Sequence, residues 1–290
     1  SGKYKASYIS NEDYHNLKVL NRLKKSLDDK MKSIQREIST VIATVNPEIE
    51  KVFPNIFSKT AMAIIKAYPT AMNISKATPE KLTKLFRHIK GNNFSEDKAE
   101  YLISLAKTSI YTGRAYESRA LMIKTNIKIL ELYIQEKDEV EKQIQDLIDN
   151  QLDDDSTNIN NVKSIPGVSV KTVSAILGEC GDLRRFESAK AFIGFLGLYP
   201  TLYQSGKSFS SGALAKRGIP IAKHALYMAA VSSVRHNTEL HKLFRDKVSA
   251  GKSKKEALII IAKKLASIIY SLFKYNQAYN PYRVLIQHKK

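Results

Sequence analysis

Residues 12–45 place Leu20, Leu23, Leu27, Met31, Ile34, Ile38, Val41 and Val45 three or four positions apart without a break. That spacing lines one stripe of an α-helix and stays close to a heptad seam, so the segment predicts a long helix that needs a partner along its length. Asn46-Pro47 ends it, because proline disfavours helical backbone in the residue before it. A second long helix is predicted over 114–152, with Ile123, Ile127, Leu130 and Ile134, then Val140, Ile144, Leu147 and Ile148. The apolar register slips between the two sets, as at a stutter. Shorter helices fit 58–68, 79–90 and 95–110, the second introduced by Thr78-Pro79-Glu80, a cap with proline at the first helical position. A chain so governed by the helical period is expected to be all-α. The long helices satisfy their stripes either as an antiparallel hairpin or by each pairing with a second subunit.

"LDDDSTNINN" (152–161) is polar and lacks periodicity, which predicts a boundary. The expected organisation is a coiled-coil-like helical arm over 10–152, a linker over 153–162, a compact basic helical domain over 163–284 and a basic tail over 285–290. Ser1-Gly2-Lys3, with no methionine, reads as a cloning scar, making 1–9 a linker on an excised piece. The single cysteine, Cys180, excludes an internal disulfide framework and fits a reducing cytoplasm. One Cys and six scattered His offer no zinc-ligand spacing. No apolar run reaches the roughly 18 residues of a membrane helix.

The charge is +19 and lopsided: residues 163–290 hold 22 Lys and Arg against 6 Asp and Glu, hence +16. A basic segment of this size predicts a polyanionic partner, since neutralised phosphates release counterions. An anionic membrane would call for a basic amphipathic helix at a terminus. Cations spread across a whole domain point instead to nucleic acid.

Within that segment, Ile165-Pro166-Gly167-Val168 predicts a tight turn between helices. A helix-hairpin-helix uses such a glycine turn to bring backbone N–H groups against a phosphate, and Lys163 and Lys171 flank it. The same turn also occurs purely as packing, and both readings stand. Phe186, Phe192, Ile193, Phe195, Leu196 and Leu198 read as core. Lys252, Lys254 and Lys255, then Lys263 and Lys264, read as a nucleic-acid face or a solvated one.

"YPTLYQSGKSFSSGALAKRGIP" (199–220) breaks the helical period and reads as a polar loop. Four serines, Ser205, Ser208, Ser210 and Ser211, crowd beside Lys207, Lys216 and Arg217. From the residues alone the four serines are equal candidates for chemistry, and a simple solvated connector fits as well. Tyr199 and Tyr203 suit either base stacking or packing.

The succession "SIPGV", "GDLRRFESAKAFIGFLGLYP", "QSG", "AKRG", "GKSKKEAL" and "AKKL" resembles the C-terminal transposase domain of a bacterial insertion-sequence family, over about 162–283. That family includes pilin-gene invertases and bridge-RNA-guided recombinases. "NPEIEKVF" and "YPTAMNISKATPEKL" resemble its coiled-coil region. The resemblance implies DNA recombination in which Ser205, followed by Gly206, is the nucleophile and becomes joined to DNA. It implies phosphate-stabilising cations at Lys207, Lys216, Arg217 and Lys223. It also implies a structured guide RNA, a dimer or tetramer assembled through the arm, and action in the bacterial cytoplasm on nucleoid DNA. Family members carry Mg2+ on acidic residues of an N-terminal RuvC-like domain. Glu12, Asp13, Asp28, Asp29, Glu37, Glu48 and Glu50 lie without strand pattern around them, so this chain is expected to lack that domain, to bind no cofactor itself and to be inactive alone. The competing expectation is a non-catalytic binding module that clamps nucleic acid with Lys163, Gly167, Lys171 and basic helices.

Overall fold

The long amphipathic stripes form long helices, as their spacing requires, in a computed structural model that describes residues 11–85, 89, 94–151, 156–205, 208–214 and 218–283. The fold is all-α in class, with one two-stranded hairpin. Contacts divide the chain into two compact units: an arm unit, Ser26–Glu139, and a basic unit made of Ser1–Lys25 with Val140–Lys290. The ends of both long helices therefore belong with the basic segment.

In the arm unit, α1 (Glu12–Val45) and α7 (Tyr116–Asp146) run antiparallel. Asp28 pairs with Lys137 at 2.6 Å, Lys30 lies 5.8 Å from the Tyr133 ring, and Glu37 accepts from Asn126 at 3.3 Å. Partners on α7 thus descend as those on α1 rise. Five shorter helices fill the space: α2 (Ile49–Val52), α3 (Lys59–Ala67), α4 (Ala71–Ser75), α5 (Pro79–Lys84) and α6 (Glu96–Lys107). Ser58, Thr70, Thr78 and Ser95 each accept a hydrogen bond from the N–H three residues on, satisfying a first-turn donor that has no partner within the helix. Ile38, Ile42 and Val45 of α1 share a core with Ile64, Ile65, Leu102, Ile123 and Ile127. Burying each large aliphatic side chain there contributes about 1.5–3 kcal/mol relative to exposure. Glu48 closes the unit from below, accepting from Ser109 Oγ and from the Ile110 N–H.

Two expectations about the stripes change. Leu23 is 43% exposed and Ile134 41% exposed, so neither belongs to its seam. On α7 the buried track runs through Ile123, Ile127 and Leu130, then through half-buried Tyr133 and Lys137, to Val140 and Ile144. Spacings of three and four persist, and the apparent stutter is a polar interruption of the stripe.

In the basic unit, α9 (Val170–Cys180) is central, with every residue from Thr172 to Cys180 buried. The first turns of α1 cross it with Tyr14 and Leu17 inward. The crossing sits at Gly178, where a Cβ would lie 2.8 Å from the Lys18 nitrogen and 2.9 Å from the Leu17 carbonyl carbon. Close helix approach needs glycine there. Around α9 stand α8 (Ser156–Lys163), α10 (Ala189–Leu196), α11 (Pro220–His236), α12 (Thr238–Ser249) and α13 (Lys254–Tyr275). Ser156–Lys163, expected as linker, is helical because Ile159 and Val162 bury against the unit. α13 opens with a reciprocal cap: Ser253 Oγ accepts from the Glu256 N–H, and Glu256 accepts from the Ser253 N–H.

The polar loop expected over 199–220 is instead an antiparallel hairpin, β1 (Pro200–Ser205) with β2 (Ser208–Leu214). Leu202 pairs with Ser211, Tyr203 with Ser210, Gln204 with Phe209 and Ser205 with Ser208. Thr201, Leu202, Tyr203 and Phe209 are good strand formers, and the serines between them hide the pattern. Phe195, expected in the core, is 42% exposed, while Phe186 and Phe192 are buried.

Candidate nucleic-acid interface

Two glycines place the hairpin. α10 ends at Gly197 in the left-handed region, φ +75°, which turns the chain out toward β1. Gly218, the first described residue after β2, has φ +107°, and a Cβ there would lie 2.3 Å from the Leu196 carbonyl oxygen and 2.8 Å from the Gly197 Cα. Ile219 N–H then donates to that same Leu196 oxygen at 3.3 Å. The two ends of the hairpin are thus pinned together at its base. Ser205 is the last residue of β1, at the opposite end.

Gly206, Lys207, Lys216 and Arg217 lie outside the described residues, as does the side chain of Ser205. Lys223 lies in the first turn of α11, after Pro220 at the first helical position. Its N–H donates to the Ile219 carbonyl, so it follows directly from the pinned base.

The other expected contacts gather at the turn between α8 and α9. Gly167 has φ +92°, and a Cβ there would meet the Ser233 backbone nitrogen at 2.4 Å. The glycine is required by α11 packing against the turn, which accounts for the residue without a phosphate. Lys163 lies 3.5 Å from Asp149, just past the end of α7. Lys171 lies 2.8 Å from Glu141, which also holds Lys24 at 3.1 Å. Burial pushes the Glu141 carboxyl up, but hydrogen bonds from Lys171 and Lys24 outweigh it and leave the value below the ordinary 4.5. Both lysines therefore have acidic partners that a phosphate would have to displace.

Cys180 is buried, and loss of solvation pushes its thiol up to about 12, so it stays protonated and unreactive. Among the described residues no three His, Cys, Asp or Glu side chains cluster so as to hold a metal ion. No described helix is long and apolar enough to cross a membrane. An ion pair that sequence reasoning did not find joins Arg22 of α1 to Glu179 of α9. Its partners are 157 positions apart, and nothing local in the sequence signals it.

Residues 159–245, which span α8 through most of α12 and include the hairpin, match the Transposase IS116/IS110/IS902 family. The chain is 32% identical to the pilin gene-inverting protein of Moraxella bovis over 119 residues, 40% of this chain and 37% of that protein. The Moraxella lacunata protein of the same name matches equally, at 32% over 119 residues. An insertion element IS110 protein of 43.6 kDa from Streptomyces coelicolor is 25% identical over 111 residues, 38% of this chain and 27% of that one. The match thus spans little more than a third of the pilin gene-inverting proteins. The likeness to the transposases of the IS116/IS110/IS902 family thus rests on residues 159–245.

Proposed function

We propose that this chain takes part in DNA transposition or site-specific recombination, with Ser205 as the nucleophile. The observation that carries the reading is the placement of Ser205 at the far end of a hairpin pinned at its base, inside the matched domain. In the proposed step Ser205 Oγ bonds to a backbone phosphorus while the bond from that phosphorus to one sugar oxygen breaks. The serine proton is lost and the departing sugar oxygen gains one to become a hydroxyl. The phosphoserine link keeps the energy of the broken phosphodiester, so the reverse attack rejoins strands without ATP. Negative charge gathers on the phosphate oxygens, and Lys207, Lys216, Arg217 and Lys223 are the cations assigned to offset it.

Among the described residues no cluster of acidic or histidine side chains could hold a magnesium ion. In this reading Mg2+ is held by a RuvC-like domain supplied in addition to these 290 residues, a structured guide RNA selects the site, and subunits associate through the arm. Strand exchange between two labelled sites tests the proposal. Ser205→Ala should abolish exchange and leave DNA binding intact, whereas exchange that survives the substitution refutes it.

The gathering of Lys163, Gly167 and Lys171 at one turn favours a second reading, a binding module without chemistry of its own. Under it Ser205→Ala changes nothing, while Lys163→Ala and Lys171→Ala weaken DNA binding and each flatten its salt dependence by about one unit of slope.

A further inference from the structure

Phe195 lies on the outer face of α10, 42% exposed, yet it is not a loose surface side chain. Its ring centroid is 5.2 Å from that of Phe186, which is 5.2 Å from Phe192, which in turn is 6.2 Å from Tyr270. Phe192 is fully buried and Tyr270 is 3% exposed, so the series runs from the core to the surface. Tyr270 Oη donates to the Phe186 carbonyl at 2.8 Å and fixes the middle of the series. The Arg185 guanidinium lies 4.2 Å from the Phe186 ring and 4.8 Å from the Phe195 ring, while its Nε donates to the Cys180 carbonyl at 3.0 Å. An exposed aromatic ring is thereby held in place by packing and by a cation, and little side-chain freedom remains to be lost on binding.

Ala191 and Gly194 occupy the same exposed face of α10, and a Cβ built at Gly194 would meet nothing within 4 Å. Among the described residues on this face of α10, one phenylalanine beside alanine and glycine offers far too little apolar area for a protein interface, which needs on the order of 1,000 Å2. It suits one flat ring. Over residues 182–190 three cations, Arg184, Arg185 and Lys190, stand against Asp182 and Glu187, and Asp182 is already held by Arg184 at 2.9 Å. A rigid exposed aromatic with a stacked guanidinium and surplus positive charge is the chemistry by which proteins hold unpaired nucleotides.

We propose that Phe195, backed by Phe186 and Arg185, is a stacking platform for an unpaired base of single-stranded nucleic acid. α10 leads directly into β1, so the platform is joined to the strand that ends at Ser205. The proposal rests on nucleic acid being the partner, as argued above, but not on Ser205 being a nucleophile.

The test is equilibrium binding of the whole chain to a labelled 20-nucleotide oligo(dT) and to a 20-base-pair duplex at one salt concentration. Phe195→Ala should weaken oligo(dT) binding by about 5- to 140-fold, the worth of one stacked base, with duplex binding and the salt slope unchanged. Phe195→Tyr should retain affinity, and Phe195→Leu, which keeps apolar bulk without a ring, should not. Unchanged oligo(dT) binding by Phe195→Ala overturns the proposal alone, as does full affinity in Phe195→Leu or an equal loss on duplex. Failure of the unaltered chain to bind either probe overturns the nucleic-acid reading and the platform with it.

Discussion

Arg22 grips Glu179 with two parallel hydrogen bonds, Nε to Oε1 at 2.9 Å and Nη2 to Oε2 at 3.1 Å. The Glu179 side chain is 4% exposed while that of Arg22 is 59% exposed, so the carboxylate has exchanged most of its water for one guanidinium. Removing the partner strands the charge. Arg22→Ala should therefore cost about 1–3 kcal/mol. Arg22→Lys, unable to fork, should fall between the two. Urea unfolding midpoints measure both, and an Arg22→Ala midpoint equal to that of the unaltered chain would remove Glu179 from the stabilising contacts.

Gly218 pins the hairpin by its lack of a side chain. Alanine there meets both a strained φ of +107° and the Leu196 carbonyl oxygen at 2.3 Å. Gly218→Ala should destabilise the domain by about 1–3 kcal/mol. In the proposed mechanism it should also misplace Ser205, so strand exchange should fall more steeply than DNA binding. Equal losses in the two assays would mean that the hairpin base contributes stability only.

Glu141 occupies Lys24 and Lys171 together. Glu141→Gln should free Lys171 for phosphate, raising DNA affinity and steepening its salt dependence by about one unit of slope. The pH dependence has a definite sign. Because the Glu141 value is lowered in the fold, its stabilisation is present above the ordinary 4.5 and is lost as pH falls through the lowered value. Thermal midpoints of the unaltered chain and Glu141→Gln should differ near neutrality and converge in acid; curves that stay parallel would contradict the assignment.

What the sequence made legible was set by how local the cause was. Leu27, Ile38 and Val45 follow a spacing that only a paired helix satisfies, and they are buried accordingly. Leu23 obeys the same spacing but is exposed, because Tyr14 and Leu17 face α9 instead. That preference depends on Gly178, far along the chain. Gly167 was legible as a turn, but its neighbour Ser233 was not, so packing and phosphate contact remained equal readings. The hairpin was hidden because serines at 205, 208, 210 and 211 mask strand residues around them. Phe195 sat in an apolar run that composition assigns to the core, and only the direction of α10 shows it facing outward.

Covalent attachment through Ser205, the step proposed above, is read directly from a denaturing gel of protein–DNA adducts. The chain is joined to a RuvC-like domain taken from an insertion-sequence transposase and supplied with Mg2+, guide RNA and labelled target DNA. The expected result is a retarded protein–DNA band that disappears in Ser205→Ala while native binding persists. A band that survives in Ser205→Ala would move the nucleophile to Ser208, Ser210 or Ser211, and no band from the unaltered serine would contradict the covalent mechanism itself.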